Sequence, residues 1–212
     1  MLHFSLTGNR KLNDSDNHIK IGAYVYPGWH ACSERDSKFP AGWSEWDLVL
    51  NAPKRFPDHN QPRLPVNGPY DDSVPSTANK QVGLARKYGV DFFVHSCFWS
   101  RGKRVFEAAL DDGFLGADGG GDFPFSLMWA NRMHRGVLPV KHKSGHNIAP
   151  GRLVYTDPND FVELIKFLEE RYFSRPNYLR VNEMPLLSIF DSTFFLRQLG
   201  EGLASLAIHK AK

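Results

Sequence analysis

The sequence has few cysteines: Cys32 and Cys97 are the only two among 212 residues. Two thiols build no disulfide framework, so a reducing compartment is the default expectation. It has no run of about 18 apolar residues, so no membrane-spanning helix is expected. The stretch from Met1 to Ile19 lacks the apolar centre of a secretory signal and reads as a polar tail. These absences make a cytoplasmic location the expectation. Charge of one sign is also scarce. Lys and Arg number 26 against 23 Asp and Glu, a net +3, and the basic residues are scattered. No nucleic-acid partner is expected from such a distribution. Aromatics, at 13%, are the surplus.

Four apolar runs read as buried strands: Ile19 to Tyr26, Val90 to Ser96, Phe123 to Ala130 and Pro185 to Asp191. A helical pattern follows each. The first begins near Ser73-Val74-Pro75 and ends at Gly89, with Ala78, Val82, Ala85 and Tyr88 on one face. The second is predicted over about Lys103 to Asp112, and the fourth over about Thr193 to His209. The third opens at Asp157-Pro158 and carries a stripe of Phe161, Leu164, Ile165, Leu168 and Tyr172. Strand and helix alternating four times predict an α/β fold with a parallel sheet, either an open doubly wound sheet or part of a barrel. In both, working residues sit at the carboxyl ends of strands. That rule selects Tyr24 to His30, His95 to Trp99, Trp129 to Asn131 and Phe190-Asp191.

The long connection from Pro27 to Asp72 has little periodicity but three tryptophans, Trp29, Trp43 and Trp46, so a packed loop over the mouth is expected. Its stretch "GWSEWDLVLNAPKRFPDHNQPRLP" sets Trp43 and Trp46 around Glu45, then presents His59, Gln61 and Arg63 between prolines. Aromatic faces beside hydrogen-bonding groups suit a sugar, whose C–H face stacks on a ring while its hydroxyls meet polar atoms. The alternative is that the tryptophans anchor the loop and Glu45 pairs with Arg63. Tyr24, Tyr26, Trp29, Phe98, Trp99 and Trp129 are expected to line one cavity, with His30 beside it and Asn131 orienting a hydroxyl. Asp191 is the carboxylate at a strand end, and it equally suits a helix cap. The Gly-rich "GADGGGDFPF" precedes a strand and reads as a turn rather than a phosphate cradle.

Two His-x-Cys pairs, His30/Cys32 and His95/Cys97, with His134 nearby in sequence, have zinc-ligand types but not a common zinc spacing. No metal or other cofactor is expected. A Cys–His nucleophile lacks an orienting third residue.

The same loop, together with "GKRVFEAAL", "FPFSLMWAN" and "ERYFSRPNYLRVNEMPLLSIFD", resembles the WbsX-type family. That family is named as glycosyltransferases of polysaccharide biosynthesis and is related to family-99 glycoside hydrolases, the endo-α-mannosidases and endo-α-mannanases. The resemblance runs from about Ile21 to about Leu199. It implies a (β/α)8 TIM-type barrel with the sugar site at the carboxyl face, of which residues 20–212 would carry about four units. Oligosaccharide or polysaccharide is the implied partner. Glu45 with its two tryptophans, Trp43 and Trp46, and His59, Gln61, Arg63, Trp99, Trp129 and Asn131 fall on family positions.

Two departures stand out. The family's catalytic glutamates lie in a late Glu-Trp-rich stretch with no counterpart here, and Arg132-Met133-His134 replaces an acidic and aromatic pair. His95 also takes a place that is usually aromatic. Glycosidic chemistry needs two carboxylates, and Glu45 and Asp191 are the candidates within the chain. Half a barrel leaves two sheet edges open. A chain inactive alone, completed by a second half-barrel or another copy, is therefore the expectation. A noncatalytic sugar-binding domain and a metal-dependent hydrolase are the alternatives.

Overall fold

A computed structural model describes residues 19–36, 39–131 and 156–210. The polar tail up to residue 18 and Arg132, Met133 and His134 lie outside the described residues.

Four parallel strands form the sheet: β1 (Gly22–Val25), β2 (Phe92–Ser100), β4 (Phe125–Trp129) and β7 (Leu187–Ile189). They lie side by side in chain order. Val25 pairs with His95, His95 with Leu127, and Leu127 with Leu187. A doubly wound sheet reverses its order at one point; this one does not. Right-handed crossovers would place the connecting helices on one face, and the buried residues of the connecting segments share one core with one face of the sheet, as in part of a (β/α) barrel.

The helices follow from their sequence. In α3 (Pro75–Lys87), Pro75 occupies the first turn, where no N–H is needed, and Ala78, Val82 and Ala85 are buried at helical spacing. Gly89 follows with φ 75°, a conformation that a side chain disfavours. In α4 (Pro158–Leu168), the Asp157 carboxylate accepts from the Asn159 and Asp160 amides and caps the helix. Phe161, Leu164 and Leu168 point inward. The helix then widens into a π-helical turn, Glu169–Phe173, which buries Tyr172.

Two helical expectations are corrected. Lys103–Val105 is a strand, β3, antiparallel to the end of β2, with Ser100 opposite Lys103. The two residues between, Arg101 and Gly102, both have positive φ, the geometry of a tight two-residue hairpin. A π-helical turn at Ala109–Phe114 replaces the rest of the predicted helix. The fourth helix is two, α5 (Ser192–Leu199) and α6 (Glu201–Lys210), broken at Gly200 with φ 76°. The long loop carries two short helices, α1 (Ser33–Asp36) and α2 (Glu45–Leu50), the second closed by a Ser44 capping box. A small hairpin, β5 (Arg180–Val181) with β6 (Met184–Pro185), precedes β7.

Candidate functional site

Successive strand residues point to opposite faces of a sheet. Ala23 and Val25 of β1, Phe93, Cys97 and Trp99 of β2, Phe125, Leu127 and Trp129 of β4, and Leu187 and Ile189 of β7 share one apolar core with the helices. Tyr24, Val94, Ser96, Phe98, Ser126, Met128 and Ser188 alternate with them and take the other face. The residues expected to converge on one cavity are therefore divided.

Trp99 and Trp129 lie in the helix layer. Trp99 donates its indole N–H to Asp160 at 2.9 Å and packs on Phe167. Trp129 is fully buried between Phe161 and Phe195. Asn131 is sealed and spends its amide on the backbone: Nδ2 donates to Asp191 O at 2.9 Å, and Oδ1 accepts from Asp191 N at 2.8 Å. The Asp191 carboxylate caps α5 through the Phe194 amide. These two residues clamp the ends of β4 and β7. Asn131→Ala is expected to cost about 2 kcal/mol in urea unfolding, because both Asp191 backbone groups lose a partner. A loss under about 0.5 kcal/mol would mean that water replaces the clamp.

Beyond the ends of β1 and β2, a polar and aromatic cluster forms. Tyr26 donates to Glu45 Oε1 at 2.9 Å, and Arg35 reaches the same oxygen at 2.6 Å. Arg35 also donates to Gly28 O at 3.1 Å. Its guanidinium lies between the rings of Trp43 and Phe106, 4.6 and 4.3 Å from their centroids, so a buried cation keeps an ion pair and two π faces. Burial and the Glu45 carboxylate push the Tyr26 phenol upward, with Arg35 opposing; Tyr26 stays a proton donor. Gly28 is required here, since a β-carbon would fall 2.2 Å from the Tyr26 ring and 2.9 Å from Glu45 Cγ. Glu45 thus pairs with Arg35, not Arg63, which is exposed. Phe106 packs edge-on to Phe98 and His30, and tilted to Tyr26.

His30 holds Asp72 at 2.6 Å through Nδ1, with both side chains buried. Trp29 rests on Trp46, 4.4 Å between centroids, and Trp46 donates its indole N–H to Tyr70 O. Trp43 is stacked on Phe39 and buried. Tyr24 stands apart, 71% exposed. His59 stacks on Phe56, and with Gln61, Trp43, Asp47, Asn51 and Arg55 it lines an open groove of about 620 Å³ on the loop.

Asp72 and Arg35 were not expected at the site. Asp72 precedes a helix start and reads as a turn residue; Arg35 sits between two acids and reads as surface.

The His-x-Cys pairs do not meet a third ligand: the described residues contain no group of three His, Cys, Asp or Glu placed to hold a metal. Cys97 is buried in the helix layer, and desolvation pushes its thiol up to about 12. Desolvation likewise raises the Cys32 thiol. Neither is poised as a thiolate. No helix among the described residues is long and apolar enough to cross a membrane.

The family described as glycosyltransferase WbsX matches residues 21–201. Two proteins named WxcX, from two strains of Xanthomonas campestris pv. campestris, are 30% identical over 178 residues, covering 79% of this chain and 23% of theirs. The chain thus spans about a quarter of those curated relatives. Two structures of the GH99 endo-α-mannosidase from Bacteroides thetaiotaomicron align at TM-score 0.49. They are 15% and 16% identical, over 87% and 91% of this chain and 47% and 53% of theirs.

Proposed function

The chain belongs to the WbsX glycosyltransferase family, and we propose that it is a carbohydrate-active domain of a protein that makes or cleaves glycosidic bonds. Its sugar-holding surface is the cluster beyond β1 and β2. The observation that carries this reading is the concentration there of Tyr26, Phe98, His30 and Trp29 around a buried ion pair, Arg35–Glu45, and a buried hydrogen-bonded pair, His30–Asp72. Aromatic walls with fixed donors and acceptors suit a polyol. An oligosaccharide or polysaccharide is the proposed partner.

In this reading the described residues hold sugar rather than break bonds. A glycosidase flanks the bond with two carboxylates at about 5–10 Å. Glu45 is committed to Arg35 and Tyr26, and the Asp191 carboxylate caps α5. A panel of α- and β-linked manno- and gluco-oligosaccharides tests it, by titration calorimetry and reducing-end release. The expected result is millimolar binding of at least one sugar with no turnover by the 212-residue chain. Turnover would replace the holding role with a catalytic one, and absence of binding across the panel would remove the carbohydrate reading.

A further inference from the structure

The mouth contains a polar pair that the fold leaves half used. The short contact from His30 Nδ1 to Asp72 Oδ1, 2.6 Å, joins two side chains exposed by only 4% and 5%. Asp72 Oδ2 accepts from the Trp29 amide at 3.3 Å. An ionised carboxylate only accepts, so the imidazole proton sits on Nδ1 and the Nε2 lone pair is bare in the neutral ring. Nε2 has no partner among the described residues. It is also not one of the sealed, unpaired side-chain atoms, which are both His95 nitrogens and Arg175 Nε. Nε2 therefore keeps access to the surface.

Burying a histidine and an aspartate is costly unless both are satisfied. A purely structural link would spend its last polar atom inside the fold, as Asn131 does with Asp191. This pair instead fixes the tautomer and aims an acceptor outward. Around it stand Phe106, edge-on to the imidazole at 6.2 Å, and Trp29, half-buried on Trp46. An acceptor beside aromatic surface calls for a donor carried on a C–H-rich body, which is a sugar hydroxyl.

We propose that the His30–Asp72 dyad is a hydrogen-bond-accepting station for a sugar hydroxyl, with His30 Nε2 as the contacting atom and Asp72 as its positioning residue. This rests on the carbohydrate reading and adds to it a defined contact. No bond is made or broken in this role. The hydroxyl donates to Nε2, and Asp72 holds the ring in the tautomer that can accept.

Two-bond proton–nitrogen spectra of the ¹⁵N-labelled chain at pH 7.5 read the tautomer directly, before and during titration with α-linked mannotetraose. The expected spectrum shows His30 protonated on Nδ1 with a bare Nε2, whose signal moves on titration. Asp72→Asn should weaken binding about tenfold, one lost charge-supported hydrogen bond; its single acceptor oxygen also leaves one buried donor unpaired and lowers the unfolding midpoint, so binding is compared well below that midpoint. An Nε2–H tautomer for His30 overturns the proposal. So does an unmoved His30 while the indole and amide signals of Trp29 shift, and that result leaves the carbohydrate reading standing. If no signal moves, both are overturned.

Discussion

Asp111→Ala is expected to lower the unfolding free energy by about 3 kcal/mol, roughly 6–12 °C in melting temperature for a chain of this size. Asp111 sits in the π-helical turn at 109–114 and joins three segments. Its Oδ2 accepts from Arg104 on β3 at 2.9 Å and from Arg171 at 2.8 Å. Its Oδ1 accepts from the Tyr172 hydroxyl at 2.6 Å. Arg171 is half exposed and adds little. Arg104 is only 17% exposed and lies over the Phe167 ring at 5.0 Å. Without Asp111 its guanidinium would stay buried with no counter-charge, and that uncompensated cation sets the size of the loss. Both ends of the contact come from π-helical turns, which re-aim Asp111 and Tyr172 relative to a regular helix.

The same network sets an acid limit. Burial pushes the Asp111 carboxyl up, but donors from Arg104, Tyr172 and Arg171 outweigh it and leave the group below its ordinary value. The folded state thus holds the proton less tightly than the unfolded chain. Its contribution is complete above about pH 4 and is lost as pH falls through the folded value. Parent and Asp111→Ala should therefore draw together as pH falls below about 4 and through the folded value, in urea unfolding followed against pH. A loss under about 1 kcal/mol at neutral pH would show that water already screens Arg104.

How far these features were legible in the sequence depends on what a pattern can carry. The four strands and the α3 and α4 helices follow from runs and spacing, because burial on one face imposes a period. The β2–β3 hairpin is hidden because Val105, Phe106, Ala109 and Leu110 also satisfy a helical spacing; the Arg101-Gly102 pair is the local mark of the turn. The break at Gly200 was there to be read. The site is harder. Period 2 says that Phe98 and Trp99 face opposite ways, but not which of them faces the helices. That depends on the layer each strand meets, so the strand-end rule alone sets Trp99 and Trp129 beside Tyr26 although they pack beneath the sheet. Arg35 and Asp72 are functional-looking only through partners 10 and 42 residues away, and no local pattern reports that distance.

His95→Phe is expected to stabilise the protein, by about 1 kcal/mol at pH 7 and by about 4 kcal/mol at pH 4. His95 is buried on the helix side of β2 among Phe93, Phe114 and Phe125, its centroid 4.6 Å from that of Phe114. Neither ring nitrogen has a hydrogen-bond partner among the described residues. Two unpaired buried polar atoms cost about 1–3 kcal/mol, partly offset in the variant by the strain of a slightly larger ring. Phenylalanine would also restore the aromatic character that the family resemblance leads one to expect at this place. Desolvation lowers the imidazole from 6.5 to about 3. A folded value depressed below the unfolded one means that stability is full above about pH 6.5 and drains as pH falls towards the folded value, by about 3 kcal/mol between pH 6.5 and 4. The phenylalanine variant has no proton to take up, so that limb should vanish while the Asp111 limb below about pH 4 remains. The His95 loss sets in below about pH 6.5 and the Asp111 loss only below about pH 4, so urea unfolding at pH 7, 5.5, 4 and 3 distinguishes them. A variant less stable than the parent at pH 7 would mean that the imidazole nitrogens are satisfied, by a bound water for example, and that His95 is a polar element of the core rather than a cost within it.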